Sequence, residues 1–290
     1  MKLLNIDINL VKTLIKEQCP NFSDLKIAEV KNSGNDNRTF HLGDGMLVRL
    51  PSGKEYGSQI EKEMYWLPKL KPYLSLDIPL TLFKGSLTKE YPFNWGIYKW
   101  IEGETLTYEN ILNLDLLAID LANFLKELQY IDATLGPKAG KHNFYRGGSL
   151  NIYDNETRMA LKKLKKVFDT KLLENIWNNS LKSKYMNKPV WIHGDIAVGN
   201  LLIKAGKLFA VIDFGILGTG DPACDYVMAW TFFSSKSREI FKNHLNCDEE
   251  TFERARGWAL WKALISYDIE NPNSYISKWA EKCINEILNS

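Results

Sequence analysis

The stretch from Val190 to Trp230 constrains this chain more than any other. It holds three short β-rich runs: Val190-Trp191-Ile192, Leu201-Leu202-Ile203, and Leu208 to Ile212. The last two are joined by a turn around Gly206. Polar residues fall where these runs stop. Asp195 and Asn200 lie on the loop between the first two, and Asp213 at the end of the third. Loops held by rigid strands are where chemical groups gather.

Two carboxylates and an amide oxygen are hard donors, the set that suits Mg²⁺ when phosphates complete its shell. Asp195 can take a proton from a substrate hydroxyl as a general base. Asn200 and Asp213 can hold Mg²⁺ against nucleotide phosphates and offset charge during phosphoryl transfer. Each residue alone reads as an ordinary turn residue capping a strand. The three in this order form a composite motif.

His193-Gly194-Asp195, then Asn200, then Ile212-Asp213-Phe214-Gly215 resembles the catalytic signature of aminoglycoside phosphotransferases. Gly220-Asp221-Pro222-Ala223-Cys224-Asp225 also matches that family's pattern. Those enzymes share a two-lobed fold with protein kinases and with choline and other small-molecule kinases. The resemblance implies that Asp195 is the catalytic Asp, and that Asn200 and Asp213 bind Mg²⁺. It implies an α+β fold: an N-terminal lobe over 1–101 with a five-stranded antiparallel sheet and a helix, a mainly helical lobe over 102–290, and a hinge near 98–104. His193 then holds the loop through a hydrogen bond, Asp225 braces it, and Asp221 with Pro222 opens a helix as cap and first residue.

The activity implied is transfer of the γ-phosphate of ATP or GTP to a hydroxyl of a small molecule, an aminoglycoside first. Macrolides and metabolites such as choline, a sugar or an amino-alcohol are alternative acceptors. A nucleotide-binding protein without turnover is the alternative of another class, and the full set of Asp195, Asn200 and Asp213 speaks against it. Protein kinase activity ranks lower, since His-Gly-Asp stands in place of His-Arg-Asp and no Ala-Pro-Glu segment follows.

Before this stretch, Leu10, Val11, Leu14 and Ile15 fall at helical spacing behind Asp7 as N-cap. Strands follow over Leu25–Val30, Arg38–Leu42 and Met46–Leu50, the last two linked by Gly43-Asp44-Gly45. The resemblance sets the polar turn with Ser33, Gly34 and Asn35 over the nucleotide phosphates; an ordinary hairpin turn is the competing reading. Arg49 occupies the third-strand position where the family has Lys, which keeps the charge and changes the geometry. On the helix over 55–70, Glu63 matches the family Glu that pairs with this cation, with Glu61 as its neighbour alternative. Pro79–Phe83 and Trp95–Ile101 complete the sheet. By resemblance, the backbones of Lys99 and Trp100 meet the nucleotide base. Tyr98 reads equally as a core aromatic.

From Leu112 the pattern turns helical, with Leu114, Leu117, Leu121, Leu125 and Leu128 on one stripe. Residues 131–150 read as a long loop of the kind that forms functional flaps. The lysine-rich helix Arg158–Phe168 reads as a solvated face. Helices over Phe252–Tyr267 and Tyr275–Leu288 close the chain. Asp268 and Glu270 are candidate partners for the amines of a cationic acceptor, while Asp248 to Glu250 read also as an acidic helix start.

A net charge of +2, from 37 basic and 35 acidic residues, argues against a dedicated nucleic-acid binder. The four cysteines form no Cys-x-x-Cys pair, so neither a disulfide framework nor a structural zinc site is expected. No apolar run reaches the ~18 residues of a membrane span, and charged residues interrupt the N-terminus. A cytoplasmic protein, monomeric or weakly dimeric, is expected.

Overall fold

The structure is a computed structural model that describes residues 5–30 and 36–290. The chain divides into two compact units, one of residues 1–103 with 210–215, the other of 104–209 with 216–290.

The first unit starts with helix α1 (Ile8–Gln18), whose N-cap Asp7 accepts from the N–H groups of Asn9 and Leu10. Strands β1 (Ile27–Glu29), β2 (Asn37–Leu42) and β3 (Met46–Pro51) follow, then α2 (Gly57–Leu70), β4 (Thr81–Gly85) and β5 (Trp95–Lys99). The strands form one antiparallel sheet in the order β1-β2-β3-β5-β4. The β2–β3 turn passes through Gly43 at φ +59°, a left-handed conformation that suits glycine. Val11, Leu14 and Ile15 of α1 pack with Phe40, Leu42, Val48, Leu50 and Ile97 into a single buried cluster. Alternation along β2 and β3 points these residues to one face, as a half-buried sheet requires.

The second unit carries β6 (Glu104–Thr105), α3 (Leu114–Tyr130), α4 (Asp154–Leu164), α5 (Thr170–Ser180) and β7 (Val190–Ile192). It continues with β8 (Leu201–Lys204), β9 (Lys207–Val211), β10 (Gly218–Gly220), α6 (Met228–Thr231), α7 (Ser235–Leu245), α8 (Glu249–Ser266) and α9 (Tyr275–Leu288). Of the predicted leucine stripe of α3, Leu117, Leu121, Leu125 and Leu128 lie on its buried face, while Leu114 at the helix start is half-buried. Helix α8 is buried nearly all round, through Phe252, Ala255, Trp258, Ala259 and Leu260 among others. Such a helix is the core of its unit, and an amphipathic period cannot reveal it. Helices α5 and α7 and strands β6 and β10 have no counterpart in the sequence reading. The last residues of β9 leave the second unit for the first, where Val211 N–H donates to Asp77 O at 3.0 Å.

The segment 131–150 is not the free flap expected of a long polar loop. Its backbone is tied to β10 and to the residue after it: Thr219 N–H donates to Pro137 O at 2.8 Å, and Asp221 N–H to Gly147 O at 2.8 Å. Backbone groups paired in this way are costly to release. The lysines of the charged helix are exposed, and the helix runs Asp154–Leu164, ending before Lys165.

Candidate active site

In the second unit, β7 stops at Ile192, paired with Gly218 of β10, and the motif loop begins. Gly194 stands at φ +86°, and a Cβ there would lie 2.8 Å from Ile216 O. Only glycine meets both conditions. Asp225 sits in the short helical turn that Asp221 caps through Ala223 N–H at 3.1 Å. Its carboxylate accepts the N–H of His193 at one oxygen and of Gly194 at the other, both at 2.7 Å. Burial pushes its pKa up, opposed by the neighbouring His193 and by those two N–H groups.

The loop then folds on itself. Asp195 N–H donates to His193 Nδ1 at 3.1 Å, so that nitrogen is the unprotonated one. Asn200 Nδ2 donates to Asp195 O at 2.8 Å and to Asp195 Oδ2 at 3.0 Å. The carboxylate of Asp195 is thus exposed at the loop but oriented by Asn200. A general base needs that combination of access and fixed direction.

In the first unit, Arg49 of β3 donates through Nη1 to both oxygens of Glu63 on α2 at 2.9 Å, and through Nη2 to Asp213 Oδ1 at 2.8 Å. Tyr98 Oη donates to Glu63 Oε2 at 2.8 Å. Glu63 is fully buried, while the side chain of Asp213 is 41% exposed. Burial disfavours the charge on Arg49, but Glu63 and Asp213 outweigh it and raise its pKa. Asp213 itself has φ +67°, a strained backbone for a non-glycine residue. Such strain persists where the surroundings over-determine it, and it gathers at functional positions. Glu61, the alternative helix carboxylate, instead pairs with Lys84 at 3.6 Å near the surface.

Other expected site residues have their own local partners. The N–H of Lys99 is taken by Leu80 O at 2.9 Å and that of Trp100 by Gly45 O at 2.8 Å. These two N–H groups are thus spent within the sheet, since a single N–H has one donor to give. The ring of Trp100 packs on His41, with centroids 4.4 Å apart. Ser33, Gly34 and Asn35 lie outside the described residues. Asp268 closes the turn between α8 and α9, accepting Glu270 N–H at 3.0 Å while its own N–H goes to Ser277 Oγ. Glu270 is exposed. Asp248 is the N-cap of α8, accepting Thr251 N–H at 2.7 Å.

Sequence reasoning missed Arg254. It is buried on α8 and holds Asp221 through Nε to Oδ2 at 2.6 Å. No local signal marked it: Glu253-Arg254-Ala255-Arg256 reads as an ordinary charged helix run, and only packing decides which arginine is buried.

Among the described residues, no group of three or more His, Cys, Asp or Glu is placed to hold a metal ion. The donor chemistry fits Mg²⁺ of the phosphate-borne kind. In the second unit the amide nitrogen of Asn200 is spent on Asp195, so the hard donor it has to offer is its oxygen; in the first unit Asp213 keeps a partly exposed carboxylate, and each is a donor of the kind Mg²⁺ takes.

Residues 28–259 match the phosphotransferase enzyme family. The chain belongs to that family. It is a phosphotransferase, and its α+β fold is the one expected: a five-stranded antiparallel sheet with a helix, then a mainly helical unit. A search of curated proteins finds no match. Among solved structures, the GDP complex of wild-type aminoglycoside 2'-phosphotransferase-IIIa is 18% identical, with TM-score 0.71 over 98% of this chain and 99% of that one. The streptomycin–ATP ternary complex of APH(2")-IIa is 22% identical, with TM-score 0.62 over 99% and 97%. The apoenzyme of macrolide 2'-phosphotransferase MphH from Brachybacterium faecium is 16% identical, with TM-score 0.61 over 96% and 98%. At these identities the likeness is one of fold. Among the described residues, no helix of the phosphotransferase is long and apolar enough to cross a membrane.

Proposed function

We propose that this phosphotransferase moves the γ-phosphoryl group of ATP or GTP to a hydroxyl of an aminoglycoside-type molecule, with Asp195 as the general base. The observation that carries the reading is the Asp195 carboxylate, exposed yet held by Asn200 on a loop that Asp225 ties from below. Asp195 takes the proton of the acceptor hydroxyl as the new O–P bond forms. The bond from the γ-phosphorus to its bridging oxygen breaks, and ADP or GDP leaves. His193 keeps Asp195 in place through its backbone. Arg49, fixed by Glu63, offers its guanidinium to the phosphates. Mg²⁺, when bound by Asn200 and Asp213, supplies neutralisation of phosphate charge.

The aminoglycoside assignment draws on the fold shared with aminoglycoside phosphotransferases solved with kanamycin, gentamicin or streptomycin. Asp268 and Glu270 are the carboxylates proposed to meet acceptor amines. The macrolide reading has the fold of MphH behind it, so it belongs in the same assay. All residues invoked come from one chain, so a monomer suffices, and we place the reaction in the cytoplasm, where nucleoside triphosphates are at hand.

The test is phosphate transfer from ATP and from GTP, with Mg²⁺, to kanamycin, gentamicin, a macrolide and choline. Transfer to an aminoglycoside that disappears in Asp195→Asn supports the reading. Transfer to the macrolide or choline alone replaces the acceptor, and nucleotide binding with no transfer to any acceptor removes the proposed activity.

A further inference from the structure

The Arg49–Glu63 pair rests on a third residue. Arg49 on β3 lies directly opposite Gly96 on β5, and Tyr98 comes two residues later on the same face. A Cβ at Gly96 would stand 2.8 Å from Tyr98 Cε2 and 2.5 Å from Met64 Cε. The missing side chain is what lets the phenol ring lean under the guanidinium, whose carbon is 5.6 Å from the ring centroid. Tyr98 and Glu63 are both fully buried, so water offers neither an alternative partner. Burial, and after it the charge of Glu63, raises the pKa of Tyr98 well above its ordinary value, so the hydroxyl stays a donor.

We propose that Tyr98 is a positioning residue: its hydroxyl fixes the Glu63 carboxylate, Glu63 fixes the plane of the Arg49 guanidinium, and that plane aims Nη2 at Asp213 and the nucleotide phosphates. The inference rests on the phosphate role proposed for Arg49. Its physical reason is particular to arginine. An ammonium rotates its three donors freely, whereas a guanidinium is a rigid fork with its donors in one plane. Here Nη1 reaches both Glu63 oxygens at 2.9 Å while Nη2 reaches Asp213 at 2.8 Å, and only a narrow range of carboxylate orientations meets all three. The last torsion of a Glu side chain is broad, with no sharp rotamer to hold it. The Tyr98 hydroxyl, 2.8 Å from Oε2, supplies the missing constraint.

The experiment is calorimetric titration of ATP and GTP, each with Mg²⁺, into the wild-type chain, Tyr98→Phe, Glu63→Gln and the double variant, with Tm recorded for each. Tyr98→Phe keeps the ring, and a hydrogen bond to a charged group is worth enough that we expect nucleotide Kd to rise roughly three- to tenfold. KM for nucleotide should rise with it, while kcat at saturation changes less. In the double variant the loss should not exceed that of Glu63→Gln alone, because the hydroxyl acts through that carboxylate. Gly96→Ala, which keeps the hydroxyl and crowds the ring, should weaken binding in the same direction, and it carries the test if Tyr98→Phe does not fold. Unchanged Kd in the folded variants, or losses that simply add, overturns the inference while leaving the nucleotide site intact. A wild-type chain that binds neither nucleotide overturns the phosphate role of Arg49 itself, and this inference with it.

Discussion

Asp225 receives the N–H of Gly194 at 2.7 Å, and its second oxygen receives that of His193 at the same distance. One buried carboxylate thereby sets the backbone entering the motif loop. Asp225→Asn exchanges an acceptor for an NH₂ that faces a buried N–H. We expect a loss of about 2–3 kcal/mol in stability, measured by urea denaturation at neutral pH.

The same residue gives a pH signature. Its folded pKa lies above its ordinary value because burial penalises the charge. Below the ordinary value both states are protonated and its contribution is fully present. As pH rises through the raised folded pKa, the folded state must ionise a buried group and that stability is lost. The decline above the ordinary carboxylate range should be shallower in Asp225→Asn. Parallel pH–stability curves would contradict this.

Arg254 and Asp221 form a buried ion pair at 2.6 Å, with side chains 7% and 6% exposed. Breaking such a pair from one side strands the other charge. Arg254→Met should cost about 3–5 kcal/mol. The double variant Asp221→Asn with Arg254→Met should recover a good part of it, and denaturant midpoints of the three variants decide the matter.

Asp195 should be needed for turnover and dispensable for nucleotide binding. Asp195→Asn is expected to lower kcat by roughly 10²–10⁴-fold with nucleotide Kd little changed. Asn200→Ala, which removes the donor to Asp195 Oδ2 at 3.0 Å, should reduce kcat and raise the Mg²⁺ concentration needed. A kcat untouched by Asp195→Asn would assign the base elsewhere.

Lys62 precedes Glu63 on α2. Burial lowers its pKa from 10.5 to about 8, with the charge of Glu63 resisting. Between those values the unfolded chain binds more protons than the folded one, so stability rises with pH across the window and is lost as pH falls through 8. Lys62→Met should therefore be more stable than wild type at pH 7, with the difference shrinking toward pH 10. A difference independent of pH would show that the amine does not titrate this way.

The parts of this molecule legible in the sequence are those fixed by neighbouring residues. The Asp7 cap and the stripe of α1, the Gly43 turn, the short strands around Asp195 and the order of the motif residues all follow from local spacing and turn chemistry. Helix α8 was legible only as a helix, because a stretch buried on every side carries no amphipathic period. The tying of 131–150 was hidden because its bonds run to Thr219 and Asp221, distant in sequence. The same holds for the capture of the Lys99 and Trp100 N–H groups by the sheet and for Arg254 on Asp221.

The sequence by itself determined which chemical groups this phosphotransferase possesses and the order in which the chain presents them, because residue types and turn signals are local properties. Tertiary structure decided which of those groups are held and by what: Arg49 by Glu63 and Tyr98, the motif loop by Asp225, Asp221 by Arg254. The physical reason is burial. A polar group removed from water must find its partner inside the fold, and where that partner lies along the chain is set by packing and not by the residues beside it.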